Sequence, residues 1–119
     1  PFNAPDQYWK RTELFTIPSL NPARPSGAPD VAFHDSREIL GIPPKNITPT
    51  PHDIESMRRG YYANIAYMDA QLGKVLDALE ASGQAERTVI VFCGDHGYQI
   101  GEHGLWGKTS CFEYDAQVP

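Results

Sequence analysis

The sequence predicts an α/β fold, and three features of residues 51–119 carry that expectation. A long amphipathic helix comes first, a short apolar run behind a tight turn second, and a glycine-rich loop holding acid and imidazole side chains third. Helix, buried strand and loop in that order make one α/β unit. A single strand has no sheet to belong to, so the unit is expected to be a piece of a larger, parallel sheet. The chain divides into a proline-rich surface connection, residues 1–50, and the helix–strand–loop unit, residues 51–119.

Residues 1–15 read as a short amphipathic piece. Pro5-Asp6-Gln7-Tyr8-Trp9-Lys10-Arg11 suits one helical turn, and Tyr8, Trp9, Leu14 and Phe15 need cover from a neighbouring element. Between Thr16 and Pro51 lie eight of the eleven prolines, with Gly27 and Gly41. Proline removes backbone donors and turns its predecessor away from helix. This stretch is therefore an extended connection, with room for a brief helix only at 36–40. A loop of that length builds a rim or covers another part of a protein; His34, Asp35 and Arg37 are its candidate substrate contacts, beside the plainer reading of a solvated loop.

Thr50-Pro51-His52-Asp53 is a helix start, with a threonine N-cap, proline at the first helical position and an acid at the third. Ile54, Met57, Tyr61, Ile65, Met68, Leu72, Val75 and Leu79 then recur every three or four residues. That is one apolar face of a helix over about 51–82. Arg58, Arg59, Asn64, Lys74 and Asp77 take the other side, and Gly83 is placed to cap the end in a left-handed conformation. The helix is a support, not a site.

After a short turn, Thr88 to Cys93 (Thr-Val-Ile-Val-Phe-Cys) reads as a strand over about 88–93, buried on both faces. It stops at Gly94, and Asp95-His96-Gly97 come next. Ligands in open α/β sheets sit beyond the carboxyl ends of the strands, which is where this acid and imidazole fall. Five of the ten glycines lie between 94 and 107, in company with Asp95, His96, Glu102, His103 and Lys108. Carboxylate oxygen and imidazole nitrogen are both cation ligands, and Gly94 and Gly97 would let the backbone turn and a ligand approach. The plainer alternative is a strand-to-loop turn in which Asp95 caps amides and His96 is a bystander.

The net charge of −5 and a pI near 5.2 give no basis for nucleic acid or an anionic membrane as partner. No apolar stretch approaches the length of a membrane span. The chain starts Pro1-Phe2-Asn3 without methionine and ends Gln117-Val118-Pro119 as though entering another strand, so it reads as a fragment. Cys93 and Cys111 are expected as two free, semi-buried thiols, with a disulfide as the alternative.

From Gly94-Asp95-His96-Gly97 through Gly101-Glu102-His103-Gly104-Leu105-Trp106-Gly107-Lys108, the sequence resembles the sulfatase family of the alkaline-phosphatase superfamily, best its iduronate-2-sulfatase-like group. The likeness extends through Ser56-Met57-Arg58-Arg59-Gly60-Tyr61-Tyr62-Ala63, Tyr67-Met68-Asp69 and Val118-Pro119. It covers about residues 50–119 well and the proline-rich half more loosely, around Ala32-Phe33 and 42–48. Asp-His-Gly alone is shared by related phosphate enzymes; the block with tryptophan, lysine and the upstream helix is specific.

The resemblance implies an alkaline-phosphatase-like sandwich and a sulfuric ester hydrolase acting on a sulfated carbohydrate or another sulfate ester. Asp95 and His96 match two ligands of a divalent metal, calcium in most characterised members, and the matching aspartate also lies against the nucleophile. An imidazole ligand leaves manganese or zinc open, because calcium prefers oxygen. Lys108 matches the lysine on a sulfate oxygen. That role suits a compact charge on a long stem beside a metal, both pre-placed where negative charge develops. Tyr98 is a candidate for the sugar pocket, His103 for a substrate group or a support of one, and Glu102 for bracing the loop. The family's nucleophile, a formylglycine made inside a Cys/Ser-x-Pro/Ala-x-Arg motif, has no match: Cys93 precedes Gly-Asp-His and Cys111 precedes Phe-Glu-Tyr. The paired aspartates of the metal shell and the upstream lysine and histidines are also missing, so the isolated chain is expected to be inactive. The alternatives are a phosphodiesterase or phosphonate monoester hydrolase of the same superfamily, and a non-catalytic module binding metal through Asp95, His96 and His103.

Overall fold

The computed structural model describes residues 2–33 and 49–119. In chain order these form helix α1 (Asp6–Thr12), a 3-10 turn (Asp30–Ala32), helix α2 (Pro51–Ala81), a 3-10 turn (Ala85–Arg87), strand β1 (Gln99–Ile100), a 3-10 turn (Glu102–Gly104), strand β2 (Trp106–Gly107) and helix α3 (Glu113–Ala116). Two compact units result, one of Pro1–Ile17 with Glu55–Val91 and one of Pro18–Ile54 with Phe92–Pro119. The brief helix expected at 36–40, and His34, Asp35 and Arg37, lie outside the described residues.

Helix α2 starts and stops where its end signals place it. Asp53 Oδ2 accepts the Thr50 amide at 2.8 Å and the Thr50 hydroxyl at 2.6 Å, while Thr50 Oγ1 takes the Asp53 amide at 3.2 Å. This reciprocal box satisfies donors that the first turn leaves without helical partners. The hydroxyl bond from Thr50, followed by its amide bond, holds the exposed Asp53 carboxyl below the ordinary carboxylate value. At the other end Gly83 adopts φ +70° and donates to Glu80 O at 2.9 Å.

In the first unit the N-terminal segment meets α2 with aromatic rings, as the packing reading of Tyr8 and Trp9 expects, whereas Leu14 and Phe15, also expected to be covered, stay exposed. Phe2 meets Tyr61 edge-on at 5.0 Å, Tyr8 lies 5.2 Å from Tyr67, and Phe15 meets Tyr62 at 5.8 Å. Such pairs each add about 0.5–1.5 kcal/mol beyond area burial. The contact is centred on small residues. Ala63 is fully buried, and a Cβ at Gly60 would lie 3.2 Å from the Trp9 ring. Arg59 donates to the Thr12 carbonyl and pairs with Glu55 one turn back.

Two further expectations are corrected. Arg58, placed on the polar side by the periodicity, is buried, whereas Ile65, Met68 and Val75 of the apolar stripe remain exposed. The aromatic segment settles where Gly60 and Ala63 allow close approach, so its cover reaches Tyr61 of the stripe and leaves Ile65, Met68 and Val75 open. Residues 88–93 form no strand, and Val89, Ile90, Val91 and Phe92 are exposed rather than sealed on both faces. A strand needs a neighbour to take its backbone donors and acceptors, and among the described residues none pairs with this run. The sheet among the described residues is instead a two-stranded antiparallel hairpin in the second unit. Cys93 and Cys111 are free, and both are exposed.

Candidate functional site

Asp95, His96, Tyr98, His103 and Lys108 all lie on or beside the β1–β2 hairpin. Its register pairs Gln99 with Gly107 and Ile100 with Trp106. Residues just before Gln99 and just after Gly107 therefore leave the hairpin at the same end. Asp95, His96 and Tyr98 approach that end and Lys108 departs from it, so residues thirteen apart in sequence, Asp95 and Lys108, share one end of one small ladder. His103 belongs to the turn at the other end.

The turn explains two of the glycines. Gly101 has φ +113° and Gly104 φ +73°, a region costly for residues with a Cβ. Glu102 braces this turn, accepting the Ile100 amide on Oε2 at 2.8 Å. His103 also takes positive φ, +56°, and its ring packs 4.7 Å from Phe112 and 5.8 Å from Tyr114. Its Nδ1 is buried without a partner among the described residues.

Gly94 and Gly97, expected to admit a ligand, admit the chain itself. A Cβ on Gly97 would come within 1.9 Å of the Tyr114 carbonyl oxygen, and one on Gly94 within 3.0 Å of Val118. The Gly97 amide donates to Asp115 O at 2.8 Å, and the Gly94 amide to Pro119 O at 3.1 Å. The closing residues 114–119 thus pack against the loop that carries Asp95 and His96.

Asp95 and His96 are both exposed, so each retains access to solvent cations. His96 Nδ1 lies 2.8 Å from the Gly97 carbonyl oxygen. A carbonyl only accepts, so Nδ1 is the donor, and in the neutral ring the lone pair falls on Nε2. Fixing one ring nitrogen on a backbone carbonyl is how metal-binding histidines are oriented. Among the described residues no three His, Cys, Asp or Glu side chains converge. By donor type a carboxylate and an imidazole match only part of a cation shell, since calcium takes about six to eight ligands and zinc about four.

Lys108 sits between two unusual backbone positions. Gly107 has φ +106° and Thr109, a β-branched residue, φ +77°. Beyond it lies a buried polar chain that sequence reasoning missed. Gln99 Nε2 donates to Ser110 Oγ at 2.7 Å, and Ser110 offers both its amide, at 2.8 Å, and its hydroxyl to Asp115 Oδ2. Gln99 is 1% exposed and Asp115 2%. Nothing local marks these residues; the available cue is Gly101-x-x-Gly104 between Gln99-Ile100 and Leu105-Trp106, a hairpin-turn signal.

Comparison with known proteins bears on the whole chain. A family model described as Sulfatase matches residues 1–119. Iduronate 2-sulfatase of Mus musculus is 37% identical over 128 residues, and that of Homo sapiens 36%; each match spans 100% of this chain and 23% of the relative. Choline-sulfatase of Rhizobium meliloti (strain 1021) is 40% identical over 86 residues, 72% of this chain and 17% of the relative. The chain thus spans less than a quarter of the length of each of these relatives.

Proposed function

This chain belongs to the sulfatase family, and from that premise we propose that the protein carrying it is a sulfuric ester hydrolase. In this reading the chain supplies part of a divalent-cation site, Asp95 and His96, and a sulfate-binding cation, Lys108. The formylglycine nucleophile and the remaining cation ligands come from sequence outside these residues. The observation that carries the reading is the His96–Gly97 bond, which in the neutral ring leaves Nε2 as a lone-pair donor on the residue next to the exposed Asp95.

The roles rest on charge. Hydrolysis of a sulfate ester builds negative charge on the sulfuryl and leaving oxygens, and fixed positive charge aimed there lowers the barrier. A bound divalent cation supplies Lewis-acid stabilisation of those oxygens. Calcium is the proposed ion, with manganese or zinc as alternatives because one ligand is an imidazole. Asp95 holds the cation and faces the nucleophile. Lys108 leaves the same hairpin end and places its ammonium on a sulfate oxygen. Tyr98 lines the sugar side of the pocket, and His103, in the turn at the hairpin's other end, contacts the substrate or supports a group that does.

A sulfated carbohydrate is the proposed substrate class, with a 2-O-sulfated uronic acid foremost. Support comes from the iduronate 2-sulfatase matches, which run the full length of this chain. The test is to assay the full-length protein for sulfate release from a 2-O-sulfated iduronate saccharide, choline sulfate and a matched phosphate diester. Release from the saccharide supports the reading; turnover of the phosphate diester alone overturns it.

A further inference from the structure

We infer that Asp115 is a positioning residue for Lys108, acting through Ser110 and Thr109; the inference rests on the sulfate-binding role proposed for that lysine. A lysine head on a four-carbon stem is a useful electrostatic group only where its backbone is fixed, because the stem itself has many rotamers. Here the backbone is fixed by strain held from both sides. On one side Gly107 is paired with Gln99 in the ladder. On the other, Ser110 is bound twice to Asp115 Oδ2. Thr109 lies between them at φ +77°, a conformation that a β-branched residue keeps only when its surroundings impose it.

Gln99 joins the two walls: its backbone faces Gly107 and its amide side chain bonds Ser110. Asp115 is the end of that chain. Its Oδ1 has no partner among the described residues, so the hydrogen bonds this buried carboxylate accepts there are both from Ser110. A buried carboxylate with one oxygen unsatisfied is a poor source of stability. What it provides is a fixed place for the Ser110 amide, and hence for the peptide on the C-terminal side of Lys108.

The test is a kinetic double-mutant cycle in the full-length enzyme on a sulfate ester, combining Asp115→Ala with Lys108→Ala. If Asp115 acts through the lysine, Asp115→Ala lowers kcat/KM about tenfold in the parent and has no further effect once Lys108 is alanine. Asp115→Asn, which keeps an acceptor for the Ser110 amide, recovers most of the loss. Thr109→Gly, where glycine takes φ +77° without strain, gives the same non-additive loss with an unchanged or raised Tm, and it decides the matter if Asp115→Ala does not fold. Equal losses in both Lys108 backgrounds overturn the inference while leaving the lysine's role intact. A Lys108→Ala enzyme with undiminished kcat/KM overturns that role itself, and the inference with it.

Discussion

The Gly97 amide donates to the Asp115 carbonyl oxygen at 2.8 Å, and this bond ties the loop behind Asp95-His96 to the helical turn behind Lys108. Two segments that each bring a candidate charge to the site are therefore anchored on one another. The hairpin between them sets which end they share, and the bond sets how closely they run.

Substitution at Gly97 should consequently be severe. Alanine would place a Cβ 1.9 Å from the Tyr114 carbonyl oxygen, against backbone that has no rotamer to change. Such overpacking costs roughly 1–3 kcal/mol or more. Gly73, in the interior of α2 with nothing near its Cβ direction, behaves oppositely. Gly73→Ala should stabilise by about 0.5–1 kcal/mol through helix propensity. Thermal denaturation of the two variants should show Tm shifts of opposite sign; a tolerated Gly97→Ala would contradict the packing of 114–115 on this loop.

The Thr50–Asp53 box predicts an acid limb in the stability curve. Its bonds hold the Asp53 carboxyl below its unfolded value of 3.8, so its contribution is present above that pH and is lost as pH falls through the lower folded value. Thr50→Ala should cost about 1 kcal/mol at neutral pH. It should also flatten the decline in Tm below about pH 4. A parallel acid limb in wild type and variant would show that the threonine does not depress the carboxyl.

Much of this architecture was legible in the chain. The start of α2 at Pro51 comes from Thr50, Pro51 and Asp53, whose preferences are local, and its end from Gly83. The candidate site was legible only as residue types, acid, imidazole and lysine at glycine-rich spacing, whose roles are those proposed above. The burial of Arg58 was not, since periodicity gives a stripe but not which side of it a neighbour will cover. Nor was the exposure of Val89–Phe92: an apolar, β-branched run reads as buried strand, yet burial depends on partners that the run does not encode. Gln99, Ser110 and Asp115 were invisible for the same reason, their bonds spanning a hairpin and a helical turn.

Lys108→Ala should lower kcat/KM on a sulfate ester by about a hundredfold, the usual scale for one pre-placed electrostatic contact. Lys108→Arg should recover little, because a planar guanidinium on a different stem does not reproduce a point charge. Steady-state kinetics on the full-length enzyme decide this, and undiminished turnover by Lys108→Ala would remove the lysine from the mechanism.

Asp95 and His96 as a cation-holding pair are the claim on which the functional account depends most. Elemental analysis of the purified full-length protein, wild type beside Asp95→Asn and His96→Ala, tests it directly. The account predicts about one divalent cation per wild-type chain and marked loss in both variants after dialysis, with each variant still folded by circular dichroism. Full cation occupancy in Asp95→Asn and His96→Ala would contradict it.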